Sequence, residues 1–256
     1  MDLKNLKYSK YQIFMAEFIG TFFILLFGDG VVAMVQLFNL GSYGVITVAW
    51  GLAVFLGIIV SHRISGAHLN PAVTLALVIT KKFHWKKLFL YVPAQMLGGF
   101  FGAALVYFFY SAKLKLMDPG LIHSAGIFTT FPAVPGFLPS FMAELIATGV
   151  LLFTILAITD HFHQEKSPYL PYLAPFSIGL LIMGIGMSLG GMHGYAMNPA
   201  RDLSPRIFIA LMGFKNNGLT QHSLIWIPTI LGSLLGGPIG AVLYQMSIGQ
   251  RPKISD

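Results

Sequence analysis

Gly66-Ala67-His68-Leu69-Asn70-Pro71-Ala72-Val73 returns 128 residues later as Gly194-Tyr195-Ala196-Met197-Asn198-Pro199-Ala200-Arg201. Asn before Pro is a helix entrance. The Asn side chain caps free backbone N–H groups, and Pro at the first helical position gives up a donor that has no partner there anyway. The apolar segment behind each Asn-Pro-Ala is too short to cross a bilayer. Asn70–Ile79 is ten residues, about 15 Å of helix against a hydrocarbon core of about 30 Å. A single Asn-Pro turn carries little information; two in register, each at the head of a half-length apolar helix, define an architecture.

The register extends outward from the two turns. Glu17 lies 53 residues before Asn70, and Glu144 lies 54 before Asn198, each directly after an Ala. Gly51-Leu52 and Gly179-Leu180 both start 19 residues before their Asn. Leu97-Gly98-Gly99-x-x-Gly102-Ala103 returns as Leu235-Gly236-Gly237-x-x-Gly240-Ala241. Six stretches are long and apolar enough to span: Ile13–Leu37, Tyr43–Ser61, Leu88–Tyr110, Pro139–Thr159, Tyr172–Leu189 and Ser223–Met246. The expected fold is therefore an all-α membrane protein with six transmembrane helices and two half-helices. It forms one domain over residues 1–256, made of two repeats, 13–110 and 139–246. Three spans per repeat is an odd number, so the second repeat enters from the opposite side and the repeats are inverted. The two Asn-Pro-Ala turns are then expected to touch near the bilayer centre. Ser111–Leu138, with Pro119, Pro132 and Pro135, reads as an ordered surface loop.

Composition agrees. Only 10% of the 256 residues are charged, against about 25% in an ordinary soluble domain. The chain is 55% hydrophobic, carries 22 Phe and has a mean hydropathy of +0.74. No cysteine is present, which excludes disulfides, thiolate metal sites and a Cys nucleophile. The net charge of +7 sits in short clusters between apolar runs, suited to anionic lipid headgroups and not to nucleic acid. Lys4, Lys7, Lys10, Arg63, Lys81, Lys82, Lys86, Lys87, Lys166, Arg251 and Lys253 fall on one side, with Lys113, Lys115, Arg201, Arg206 and Lys215 on the other. Both termini are expected to be cytoplasmic. Met1–Gln12 is polar and runs into a long apolar stretch without a small-residue cleavage pattern, so the first span reads as retained.

The approach segments Gly66–Leu69 and Gly194–Met197 are non-helical if the half-helices start at Asn. Irregular backbone at membrane depth lines a wet path or lies buried. Their carbonyls form two acceptor ladders leading to the Asn70 and Asn198 amides, and both half-helices aim positive dipole ends at that point. A neutral solute passes there, whereas a cation or hopping proton is repelled. Arg201 is an intramembrane cation where the first repeat has Val73, a break in symmetry that suits selectivity; a structural salt bridge to Asp202 or Glu144 is the alternative. Glu17 and Glu144 are expected to accept hydrogen bonds from the approach loops and brace them. His68 lines the path or braces its loop. Trp50, whose repeat partner is Ile178, is packing or a second break in symmetry. Asp29 has no role legible in the sequence.

Ser65-Gly66-Ala67-His68-Leu69-Asn70-Pro71-Ala72-Val73-Thr74 and Ala196-Met197-Asn198-Pro199-Ala200-Arg201-Asp202 resemble the major intrinsic proteins, the aquaporin and glycerol-facilitator family. The resemblance runs from about Ala16 to Met246. Asp202 directly after Arg201 marks the glycerol-facilitator branch, and Arg206, Pro228 and Tyr110 are similar to its pattern. It implies a selectivity filter of Trp50, Gly186, Tyr195 and Arg201. Trp50 would give a polyol's carbons an apolar wall, Arg201 would donate to its hydroxyls, and Gly186 would leave width that water-selective members fill with His. Two positions depart from the branch: 195 is Tyr instead of Phe, and 229 is Thr instead of an aliphatic residue. The first bears on solute range; the second is expected not to. The resemblance also implies homotetramers in the cell membrane with one pore per subunit.

The function expected is a passive channel for glycerol and similar small uncharged solutes, neutral short hydroxy acids included, with some water. A mainly water-selective channel is the alternative. A secondary transporter needs a coupling-ion site, and only the isolated Glu17, Glu144 and Asp29 are available. Nothing points to an enzyme, a metal or another cofactor: there is no nucleophile elbow, metal-spaced His pair or phosphate loop.

Overall fold

The computed structural model describes residues 8–164, 170–220 and 224–249. Eight α-helices run among the described residues: α1 (Lys10–Phe38), α2 (Tyr43–Ser65), α3 (Pro71–Ile79), α4 (Leu88–Met117), α5 (Phe137–Gln164), α6 (Leu170–Leu189), α7 (Pro199–Leu211) and α8 (Trp226–Ser247). Six of them, all but α3 and α7, are long and apolar enough to cross a membrane. Ser223, the expected start of the last span, lies outside the described residues. So do Lys4, Lys7, Lys166, Arg251 and Lys253 of the charge pattern.

Several ends differ from the sequence expectation, each for a local reason. α1 starts three residues early because Ser9 caps it: Ser9 Oγ accepts from Gln12 N, and the Gln12 side chain accepts from Ser9 N. α4 continues seven residues past Tyr110 into the stretch expected to be loop. Lys113 in this added stretch lays its ammonium over the Phe38 ring at 5.3 Å. Asp118 then ends the helix and organises the next turn, accepting from Ile122 N, His123 N, Ser124 N and Ser124 Oγ at 2.7–3.0 Å. The remaining loop is ordered, with a short 3-10 turn at Ser124–Ile127.

α1 packs against α2 and α4, α5 packs against α6 and α8, and α2 meets α6 between the two groups. The short helices cross over: α3 lies on α8, and α7 lies on α4. The repeated Leu-Gly-Gly units make these contacts possible. A β-carbon at Gly98 would strike the Phe18 carbonyl of α1, and one at Gly236 would strike the Leu145 carbonyl of α5. The next glycine in each unit faces the opposite half: a β-carbon at Gly99 would strike the Ala200 carbonyl, and one at Gly237 would come within 3.1 Å of the Ala72 carbonyl. Small residues let helix backbones approach closely where lipid offers no hydrophobic drive between helices.

Polarity is arranged inside out. Glu17, Asp29, Gln95, Glu144 and Arg206 are fully buried, whereas Phe109, Phe89 and Leu243 are exposed on the outer face. An apolar exterior around a polar interior is stable only if lipid covers it.

Candidate functional site

Asn70 and Asn198 cap α3 and α7 and are tied to each other's loops. Asn70 Oδ1 accepts from Ala72 N at 2.8 Å, while Nδ2 donates across the junction to the Met197 carbonyl at 2.8 Å. Asn198 Oδ1 accepts from Ala200 N at 2.9 Å, and Nδ2 donates to the Leu69 carbonyl at 2.9 Å. Pro71 and Pro199 occupy the first helical positions. A primary amide has two N–H donors, so one on each Asn remains for a molecule between them. The Leu69 and Met197 carbonyls, expected as rungs of the acceptor ladders, are the groups that make this cross-connection.

The approach segments share an unusual backbone. Gly66, Ala67 and Leu69 have φ of 87°, 53° and 52°, and Gly194, Tyr195 and Met197 have φ of 73°, 43° and 52°. Left-handed backbone at non-glycine residues is strained and persists only where the surroundings over-determine it. The two buried glutamates do so. Glu17 accepts from His68 N and Ser65 Oγ on one oxygen, and from Leu69 N and Gln95 Nε2 on the other, at 2.6–3.0 Å. Among the described residues Glu144 accepts from Ala196 N at 2.8 Å and Met197 N at 2.7 Å.

A cavity of about 200 Å³ runs past both asparagines. Trp50, Tyr195 and Arg201 line it near one end, and His62, Leu77 and Thr159 near the other. Gly66, Ala67, His68, Leu69, Ala196 and Met197 also line it, as expected of the approach backbone; Gly194 does not. Ile24, Val54, Ile58, Leu151, Ile155 and Ile182 line it as well. His68 both lines the cavity and braces its loop. Its Nδ1 lies 3.2 Å from Thr74 Oγ1, and its ring packs on Phe83 and Tyr91 with centroids 4.5 and 4.8 Å away.

At the Trp50 end the guanidinium of Arg201 stacks over the indole, 4.1 Å from the ring centroid, and Nη1 donates to the Phe128 carbonyl at 3.1 Å. The salt bridge offered by the sequence, to Asp202 or Glu144, does not form. Adjacent residues on a helix point apart, and Asp202 pairs instead with Arg206, four residues on, through Nε at 2.6 Å and Nη2 at 3.1 Å. Asp202 also accepts from Thr130 N and Thr130 Oγ1. Arg206 donates to the carbonyls of Thr130 and Asn217. The long loop is thereby pinned beside Arg201. The carboxylate nearest Arg201 is Asp29, 3.9 Å from Nη1.

The width expected from Gly186 is filled. A β-carbon there would sit 2.8 Å from Tyr195 Cζ, so the Tyr195 ring occupies the space that glycine leaves. The ring is buried and borders the cavity, and its hydroxyl has no hydrogen-bond partner among the described residues. Thr229 is tied to the site after all. Its Oγ1 donates to the Ile225 carbonyl at 2.8 Å and lies 2.7 Å from Nε2 of His193, one residue before the second approach segment. Gln95, Thr74, Thr130 and Phe128 also belong to the site's support, although no spacing in the sequence singled them out.

Six spans, two capped half-helices and an interior cavity lined by both polar and apolar groups define a multi-pass membrane protein with a cavity at its centre. The sequence model of the major intrinsic protein family matches residues 4–244, and the chain belongs to that family. It is 42% identical over 237 residues to glycerol uptake facilitator protein 3 of Lactiplantibacillus plantarum, covering 91% of this chain and 95% of that protein. It is 40% identical over 236 residues to the glycerol uptake facilitator protein of Bacillus subtilis, covering 91% and 83%. The X-ray structure of the aquaglyceroporin from Plasmodium falciparum superposes with a TM-score of 0.81 at 32% identity, covering 94% of this chain and 97% of that one.

Proposed function

We propose that this protein is a passive channel for glycerol and similar small uncharged solutes, neutral short hydroxy acids and some water included. The observation that carries the reading is a cavity lined by both apolar side chains and hydrogen-bonding groups. A polyol has both carbons and hydroxyls to satisfy. The Ile, Leu and Val side chains of the lining suit the carbons, while the Asn70 and Asn198 amides, the approach backbone and Arg201 suit the hydroxyls. Relatives named as glycerol uptake facilitators support the choice of solute.

In this reading Trp50, Gly186, Tyr195 and Arg201 form the selectivity filter, with Gly186 acting by admitting the Tyr195 ring. Asn70-Pro71-Ala72 and Asn198-Pro199-Ala200 form the central junction, and Glu17 and Glu144 brace the approach loops. Asp202 holds the loop that carries the Phe128 carbonyl. Residues 13–110 and 139–246 are inverted repeats within one domain. The protein is a homotetramer in the cell membrane with both termini cytoplasmic, and it catalyses no reaction. Protons are excluded because both half-helix dipoles and Arg201 place positive potential on the path.

The test is light scattering from vesicles carrying the purified protein. In an inward glycerol gradient they should reswell faster than empty vesicles, with no accompanying ion conductance. Raised water permeability with glycerol flux equal to that of empty vesicles would favour a water-selective channel instead.

A further inference from the structure

Two neighbouring residues of α1, Gly28 and Asp29, stand directly behind the aperture. A β-carbon at position 28 would run into the six-membered ring of Trp50, so Gly28 is what lets the indole lie against α1. Asp29 is fully buried, and neither carboxylate oxygen has a hydrogen-bond partner among the described residues. It does not line the cavity; Arg201, 3.9 Å away, does. An acid buried without a single N–H or O–H on it is costly, and the surrounding charges supply the reason it is tolerated. Arg201 and Asp202 are the charged groups that act on it. Asp202 is committed to Arg206 by two hydrogen bonds. The Arg201 guanidinium donates to a neutral carbonyl and stacks on an aromatic face. Glu144 also acts on Arg201 from farther off, but among the described residues Asp29 is the carboxylate within salt-bridge reach of the guanidinium, at 3.9 Å.

We infer that Asp29 is a specificity-determining positioning residue. Acting through Arg201, its carboxylate balances the guanidinium from behind, so the aperture offers N–H donors to a neutral solute without holding small anions. This rests on the channel reading above. Two opposite consequences follow from one charge pair. Arg201 without Asp29 is a bare cation in a narrow, poorly screened opening and binds anions. Asp29 without Arg201 is a bare anion behind the same opening and draws cations.

The experiment measures glycerol flux in vesicles bathed in sodium nitrate or in sodium gluconate of equal osmolarity, gluconate being too large to enter. Wild-type flux should be the same in both. Asp29→Asn, which keeps the side-chain shape, should lose about half its glycerol flux or more in nitrate relative to gluconate. In the reciprocal arm, Arg201→Ala should admit methylammonium at neutral pH, and Arg201→Ala/Asp29→Asn should admit roughly threefold less or lower still. A nitrate-insensitive Asp29→Asn channel overturns the inference, as does equal methylammonium flux in the single and double variants. Arg201→Ala alone retains Asp29, so an absence of methylammonium flux in it overturns the inference even if every Asp29 variant fails to fold. Wild-type vesicles that pass no glycerol would instead sink the channel reading, a separate outcome.

Discussion

The two approach segments carry the same backbone and different chemistry. Offset by 128 residues, they match in left-handed positions, Asn caps and glutamate contacts. They part at the side chains. Ala67 faces Tyr195 across the pseudo-symmetry, Val73 faces Arg201, Thr74 faces Asp202 and Val78 faces Arg206. Thr74 sits in a neutral network with Gln95 and His68, whereas Asp202 and Arg206 form a buried ion pair that grips the long loop. In the proposed channel, what the halves share would build a route to the centre, and what they do not share would make one end selective.

The support is unequal as well, and the largest expected effect exploits this. Glu17 satisfies four donors and Glu144 two. Each donor stranded at membrane depth costs roughly 1–3 kcal/mol. Glu17→Ala should therefore lower stability by upward of about 4 kcal/mol, and Glu144→Ala by about half as much, read as thermal unfolding in detergent. The reverse order would mean that the first half is not the more heavily braced.

Arg206→Met comes next. It leaves Asp202 buried without its cation, at a cost of about 3–5 kcal/mol. The double variant Asp202→Thr/Arg206→Val installs the first half's residues and removes both charges together. It should be more stable than Arg206→Met, yet its loop should be cut faster by protease because Thr130 has lost its anchor. A double variant no better than the single would show that the second half cannot do without charge.

Tyr195→Phe tests a smaller difference. Its hydroxyl has no partner to lose, so the unfolding temperature should hardly move. The ratio of glycerol flux to larger-polyol or hydroxy-acid flux should change, because Tyr195 lines the cavity with Trp50 and Arg201. Unchanged ratios across a solute series would leave Tyr195 as an aromatic wall only.

The smallest effect lies outside the membrane-spanning segments, in the loop between α4 and α5. Burial by itself would raise the Asp118 carboxyl; the hydrogen bonds from Ile122, Ser124 and His123 outweigh it and bring the group down to about 2. A depressed carboxyl stabilises fully above its unfolded value near 4 and loses that contribution as pH falls through the folded value. Amide exchange at residues 122–124 should thus quicken between about pH 4 and pH 2, and Asp118→Asn should remove that dependence.

Much of this architecture is legible in the chain because a bilayer leaves few choices: length and hydropathy give six spans, and Asn-Pro-Ala gives two capped half-helices. The helix ends at Lys10 and Met117 escape that logic, since a capping box at Ser9 and the turn organised by Asp118 set them. Glu17 and Glu144 are visible through spacing. The Asp202–Arg206 pair is an i, i+4 match in the sequence, but spacing alone does not rank it against the adjacent Arg201. The partners of Asp29 and of the Thr229 hydroxyl, Arg201 and His193, lie far away in the chain, so no local spacing reveals them. Gly186 promises space; what fills it is a side chain nine residues on, which only the turn after α6 brings back.

The reciprocal reach of Asn70 and Asn198 has a mechanical consequence. Each amide is buckled to the other half's loop at 2.8 and 2.9 Å, so the junction is a clasp and neither half can swing alone. A carrier that rocks between inward-open and outward-open shapes would have to undo that clasp in every cycle. A molecule clasped at its waist conducts in one shape: its flux should rise in proportion to the gradient without saturating, and a cross-link between the halves should leave the passage open.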